Sequence, residues 1–159
     1  MSHTRFAGRH LRIGRHSEAN RLYLVTTVTY DRRPLFRELH LGRVVVRALM
    51  GEMLRTETVC YVVMPDHVHW LLQLKPAASL SSVIQRVKSV TAHRLRRMPG
   101  ASRGPVWQKG FHDHALRHDE DVKAVARYVV ANPLRAGLVE RIGAYPLWDA
   151  MWLDRDVNL

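Results

Sequence analysis

Residues 58–74 read Thr-Val-Cys-Tyr-Val-Val-Met-Pro-Asp-His-Val-His-Trp-Leu-Leu-Gln-Leu. Two runs rich in β-branched and aromatic residues, Thr58–Met64 and His67–Leu74, are separated only by Pro65-Asp66. So short a link makes the two runs antiparallel neighbours, because a parallel pair needs a long crossover. Side chains alternate between the two faces of a strand. In the second run Val68, Trp70, Leu72 and Leu74 therefore share one fully apolar face, which is expected to meet helices. His67, His69, Leu71 and Gln73 share the other.

Outward from this pair, Leu22–Tyr30 (LYLVTTVTY) reads as a strand ended by Asp31-Arg-Arg-Pro34. Residues 37–55 set Leu41, Val44, Val45, Ala48 and Leu49 on one helical face. Ser79 and Ser81 offer N-caps for a helix to about Met98, with Leu80, Val83, Ile84, Val87 and Leu95 inward. Val106–Leu116 reads as a fourth strand. Asp119–Asn132 reads as a helix stopped by Pro133, since a residue before proline disfavours the α region. The order β-α-β-β-α-β-α predicts an α+β chain. Its pattern is the ferredoxin-like split βαβ, an antiparallel sheet with helices on one face, plus one added C-terminal helix. The other face is expected to be open and to carry function. Residues 1–20 read as a basic arm, 21–140 as the domain and 141–159 as a tail.

The chain has 159 residues, with 25 Lys and Arg against 14 acids and a formal charge of +11. That balance favours a polyanionic partner, and suits nucleic acid, a ribosomal role or a membrane surface alike. Cys60 is the single cysteine, which excludes an internal disulfide and a multi-cysteine zinc site. No apolar run is long enough for a bilayer and no secretory leader is legible, so a cytoplasmic, membrane-free protein is expected.

Two constellations could carry chemistry. His67 and His69 lie two residues apart on one strand face, roughly 6.6 Å, so both imidazoles can converge on one ion given a third ligand. They could equally be two surface histidines. His112-Asp113-His114 repeats the spacing on the fourth strand, and the sequence leaves open whether the pairs meet. On the last helix the apolar stripe is Val122, Val125, Ala126 and Val129, with Tyr128 and Asn132 stacked on its flank. Tyr128 reads either as a presented phenol or as a half-buried packing residue. Asn132 reads either as an amide ligand or as the cap of a turn between Pro133 and Gly137.

At these residues the chain resembles a family. Val63-Met-Pro-Asp-His-Val-His-Trp-Leu-Leu72 resembles the His-hydrophobic-His segment of the HUH-type single-strand DNA transposases. Arg127-Tyr-Val-Val-Ala-Asn-Pro-Leu-Arg-Ala-Gly-Leu-Val139 is similar to their tyrosine helix. Val106–Arg117 and Thr26–Phe36 extend the likeness over residues 20–140, and within the family it is nearest to REP-associated tyrosine transposases. The resemblance implies Tyr128 as nucleophile and His67 and His69 as ligands of Mg²⁺ or Mn²⁺. Asn132 would be the third ligand, where relatives carry glutamine. It implies cleavage and joining of single-stranded hairpin DNA of repetitive extragenic palindromes through a 5′-phosphotyrosine, by a monomer. Arg9, Arg12 and Arg15 of the arm, with Arg86, Lys88, Arg94, Arg96, Arg97 and Lys109, would then contact phosphates. Trp107 and Phe111 would stack bases or pack in the core. Two rival functions stay open: a non-catalytic ferredoxin-like nucleic-acid-binding module, and a metal-dependent hydrolase that forms no covalent adduct.

Overall fold

The computed structural model describes residues 17–100 and 103–151. The elements are β1 (Leu22–Val28), α1 (Leu39–Met50), β2 (Thr56–Val63), β3 (His67–Leu74), α2 (Leu80–Arg96), β4 (His112–Ala115), α3 (Val122–Val130), α4 (Asn132–Arg135) and β5 (Trp148–Ala150). The strands form one sheet in the order β4-β1-β3-β2-β5, every neighbour antiparallel. β1-α1-β2-β3-α2-β4 is the expected split βαβ, and β5 is added along the free edge of β2.

The alternation on β3 sorts the core into two layers. Val68, Trp70, Leu72 and Leu74 join Tyr23, Val25 and Val63 beneath α1 and α2, whose inward stripes include Val44, Val45, Leu49, Val83 and Ile84. Ser79 caps α2 by accepting from the Ser82 N–H. On the other face Leu71 joins Val59, Cys60, Val62 and Met64 under Ala126, Val129 and Val130 of α3. A register shift between Thr58 and Cys60 inserts an extra residue in β2, so Val59 and Cys60 both reach that second layer.

The face expected to be open is therefore partly roofed. α3 must bury its own apolar stripe, and the end of β2 and β3 bearing Cys60, Val62 and Leu71 receives it. Four other expectations shift. α1 ends at Met50, not at 55. The fourth strand is only His112–Ala115; before it, Gly110 adopts a positive φ of 79° and Trp107 makes an isolated bridge to Thr29. Pro133 does not end the helical path: it sits in the first turn of α4, where its missing N–H has no intrahelical partner to lose. Residues assigned to the tail add β5, and Leu147 packs where a Cβ on Gly42 would stand, which accounts for a glycine inside α1.

The α3 layer hangs on few large side chains, and Leu71 is fully buried at its centre. Leu71→Ala should lower the unfolding free energy by about 2–5 kcal/mol, read from urea denaturation.

Candidate active site

His67 opens β3 directly after the tight link, where the Met64 N–H donates to the His67 carbonyl at 2.8 Å. The link is held from β1: the Thr29 N–H donates to the Asp66 carbonyl at 2.9 Å, and Thr29 Oγ1 lies 3.0 Å from the same oxygen. The Asp66 side chain then reaches back, and its Oδ1 lies 2.6 Å from His67 Nδ1. Arg32 Nη1 donates to the other carboxylate oxygen at 3.3 Å. Burial opposes ionisation of Asp66, but the hydrogen bonds and charges of His67 and Arg32 outweigh it and hold the carboxyl below its usual range.

His69 faces the same way. Its Nδ1 lies 2.8 Å from Oγ1 of Thr26, its direct partner across β1 and β3. The two imidazoles stand edge to face with centroids 4.8 Å apart. Burial first, then the charges of His67 and Arg135, push the His69 pKa down to about 4, so the ring is neutral at pH 7. Each ring thus has its Nδ1 engaged, by a carboxylate or a hydroxyl, and its Nε2 left for a ligand. This is the arrangement in which a second partner sets tautomer and ring angle for metal binding.

The opposite side of the site comes from α3. Asp121 caps the helix by accepting from the Ala124 N–H at 3.1 Å. With Ala126, Val129 and Val130 buried against the sheet, Tyr128 is turned outward and 64% exposed. The packing alternative for Tyr128 is thereby excluded. Arg135, on α4, sets its guanidinium carbon 3.8 Å from the Tyr128 ring centroid. Tyr128, Asn132 and Arg135 are spaced i, i+4, i+7, and the nearly continuous α3–α4 path keeps them on one side. The Asn132 amide N–H donates to the Val129 carbonyl at 2.8 Å, and no donor among the described residues reaches its Oδ1. The same arginine that stacks on Tyr128 is felt electrostatically at His69. An exposed phenol, an amide oxygen and a guanidinium thus lie on one side of the α3–α4 path, and α3 packs on the sheet face that carries the imidazole pair.

The family model "Transposase IS200 like" matches residues 19–132. This chain belongs to that family. It is 28% identical over 101 residues to a candidate REP-associated tyrosine transposase of Haemophilus influenzae, covering 57% of this chain and 56% of that one. It is 26% identical over 91 residues to a REP-associated tyrosine transposase of Escherichia coli, covering 57% and 52%. The matches thus span little more than half the length of these relatives. Among solved structures, a REP-associated tyrosine transposase bound to a REP hairpin superposes with a TM-score of 0.70 at 22% identity, over 84% of this chain and 79% of that one. A candidate transposase of Deinococcus radiodurans superposes with a TM-score of 0.50 at 21% identity, over 75% and 95%. Both likenesses carry the fold.

The remaining candidate residues of this chain fall elsewhere. His112 pairs with Thr26, as His69 does from the other side, so the two histidines flank one threonine on the same sheet face. His114 is engaged by Glu120 at 2.9 Å. Among the described residues no three His, Cys, Asp or Glu side chains cluster as a metal site. The ligand set of the resemblance instead counts the Asn132 amide. Arg86, Lys88, Arg94 and Arg96 lie on α2, with Arg97 at its C-cap, across the sheet from the histidines. Arg86 is held by the buried Glu52, with Nη2 3.1 Å from Oε2. Lys88 donates to the carbonyls of Gln108 and Gly110, and Arg96 to that of Gly104. Trp107 is buried, donates from Nε1 to Thr91 at 2.8 Å and packs on Phe36, so it takes the core role. Lys109 is exposed beyond it. Arg9, Arg12 and Arg15 lie outside the described residues. Cys60 is buried and burial raises its thiol to about 12, which leaves it inert. Among the described residues no helix is long and apolar enough to cross a membrane.

Three site residues escaped the sequence reading: Thr26, Asp66 and Arg135. Arg135 was legible as the i+7 neighbour of Tyr128.

A histidine held neutral in the folded state protonates first in the unfolded chain. The stability it confers is whole above pH 6.5 and is lost as the pH falls toward about 4. Thermal melts at pH 7.5, 5.5 and 4.5 should show that loss in the wild type, and His69→Gln should flatten it.

Proposed function

We propose that this chain is a sequence- and structure-specific single-stranded DNA endonuclease and strand transferase, acting on REP-type hairpins through a 5′-phosphotyrosine at Tyr128. The observation that carries this reading is the exposed Tyr128, held by α3 over the face from which His67 and His69 present their free nitrogens. The two REP-associated relatives, and the REP hairpin bound by the structural neighbour, support the choice of substrate. The formal charge of +11 suits a polyanion.

In the proposed reaction the Tyr128 phenol gives up its proton and its oxygen bonds to the scissile phosphorus. The bond from phosphorus to O3′ breaks, and that oxygen leaves with the electron pair and takes a proton to become a free 3′-OH. The phosphodiester becomes a phosphotyrosine ester, so attack by another 3′-OH reverses the step and joins strands without a nucleotide cofactor. The Asp66 carboxylate, which can only accept, favours the His67 tautomer with Nε2 open, and Thr26 orients the His69 ring through Nδ1. The donor types fit a divalent cation: the imidazoles of His67 and His69 and the Asn132 amide oxygen would hold it. Bound there, Mg²⁺ or Mn²⁺ supplies Lewis-acid stabilisation of charge on the phosphate oxygens.

A hydrolase would leave no protein–DNA bond, and a binding module would leave the DNA whole. Labelled hairpin DNA incubated with the protein and Mn²⁺, then resolved on a denaturing gel, should show a covalent adduct. Tyr128→Phe should bind the hairpin within about threefold of wild type and form none. His67→Ala and His69→Ala should each reduce adduct formation by about 10- to 100-fold or more, the cost of weakening a metal site. Full cleavage by Tyr128→Phe would overturn the mechanism.

A further inference from the structure

Arg135 has an unusual setting for a cation in a strongly basic chain. Its guanidinium lies 3.8 Å from the centre of the Tyr128 ring. Its charge also reaches His69, the more buried of the two imidazoles. Several arginines are engaged by carboxylates, Arg86 with Glu52, Arg32 with Asp66, Arg117 with Asp119 and Glu120, and Arg21 with Glu18; Arg135 is set against an aromatic ring instead. Among the described residues no carboxylate or carbonyl takes a hydrogen bond from Arg135. The α3–α4 path places it with care. Pro133 in the first turn of α4 and Gly137, at a positive φ of 69° just past it, bracket the helical turn that ends on Arg135.

An aromatic ring attracts a guanidinium through its face but takes none of its N–H hydrogens. The five donors of Arg135 meet no carboxylate or carbonyl among the described residues and are available to a bound group. A planar donor fork beside a nucleophile and a metal-type histidine pair is matched to the oxygens of a phosphate.

We propose that Arg135 is the phosphate-binding residue of this site, gripping the phosphate that Tyr128 attacks while its stacking holds the Tyr128 ring in place. The inference rests on the reading of Tyr128 as nucleophile given above. Stacking restrains an exposed side chain that has no packing of its own. Donors aimed at the phosphate oxygens then offset the charge that gathers there as the Oη–P bond forms and the P–O3′ bond breaks. Arg135 thus couples the position of the nucleophile to the presence of its target.

The test compares wild type, Arg135→Ala, Arg135→Lys and Tyr128→Phe on one labelled hairpin with Mn²⁺. Single-turnover adduct formation and hairpin affinity are measured separately. Arg135→Ala should slow adduct formation by about 10²–10³-fold, the usual cost of one preorganised donor, while affinity changes less than about threefold. Arg135→Lys should recover only part of the rate, since it restores a point charge without the planar fork. Added ethylguanidinium should restore activity to Arg135→Ala and leave wild type unchanged.

The decisive arm replaces the cleaved phosphate by a neutral methylphosphonate, at the position mapped from the wild-type adduct. Removing the charged oxygen should penalise wild type more than Arg135→Ala, because only wild type loses the contact. Equal penalties in the two proteins would overturn the proposal and leave Arg135 a merely structural stack. So would a wild-type rate in Arg135→Ala when Tyr128→Phe forms no adduct. An adduct that persists in Tyr128→Phe brings down the underlying reading instead.

Discussion

The geometry of the site depends on one buried hydroxyl. Thr29 is fully buried, and its Oγ1 lies 2.8 Å from the Arg33 carbonyl and 3.0 Å from that of Asp66. Without that hydroxyl the Arg33 carbonyl would lose this donor and the Asp66 carbonyl would keep only the Thr29 N–H. The contact ties three segments into one corner: the end of β1, the loop after it, and the link that starts β3. Phe36 reinforces it, its N–H donating to the Pro65 carbonyl at 3.0 Å. The loop so anchored holds Asp31 and Arg32 at positive φ of 55° and 50°, a conformation that side-chain-bearing residues keep only when their surroundings impose it. From this corner Asp66 aims His67, and Thr26, three residues back along β1, aims His69.

The rest of the fold supplies the two walls. One face of the sheet is closed by α1 and α2 into a conventional core. The other is closed where α3 lands, on Cys60, Val62 and Leu71, and the histidines sit half-buried at the margin of that cover. The division follows from a single strand: β3 carries apolar residues at every position that meets α1 and α2. On the reverse it carries His67, His69, Leu71 and Gln73 in order, going from chemistry to packing along its length. Tyr128 belongs to the helix that Leu71 holds down.

What was readable in the sequence followed strict local rules. The two-residue period of β3 put its residues on the correct faces, and the 3.6-residue stripe of α3 put Tyr128 on its flank, though only the folded chain shows it 64% exposed. What was not readable depended on distant partners. Val106 and Trp107 are apolar, like a strand, yet they serve as a plug under Phe36 and Thr91. Pro133 signals a stop, but a helix can restart on it when the lost N–H was unpaired anyway. β5 is three residues long and exists because the edge of β2 offers a ladder. The basic residues of α2 were legible as a charged helix. That Arg86 answers a buried Glu52 and Lys88 a pair of loop carbonyls could come only from the folded chain.

The two halves of the site also differ in how firmly they are anchored. The histidines belong to the central strand of a five-stranded sheet, paired on both sides along its length. Their amides should be among the slowest of the domain to exchange with solvent. The tyrosine rides on a nine-residue helix whose fully buried side chains are Ala126, Val129 and Val130, and fewer contacts hold it. In the proposed reaction the strand end joined to Tyr128 would ride on the less firmly anchored half of the site, and the phosphate would meet the firmer one.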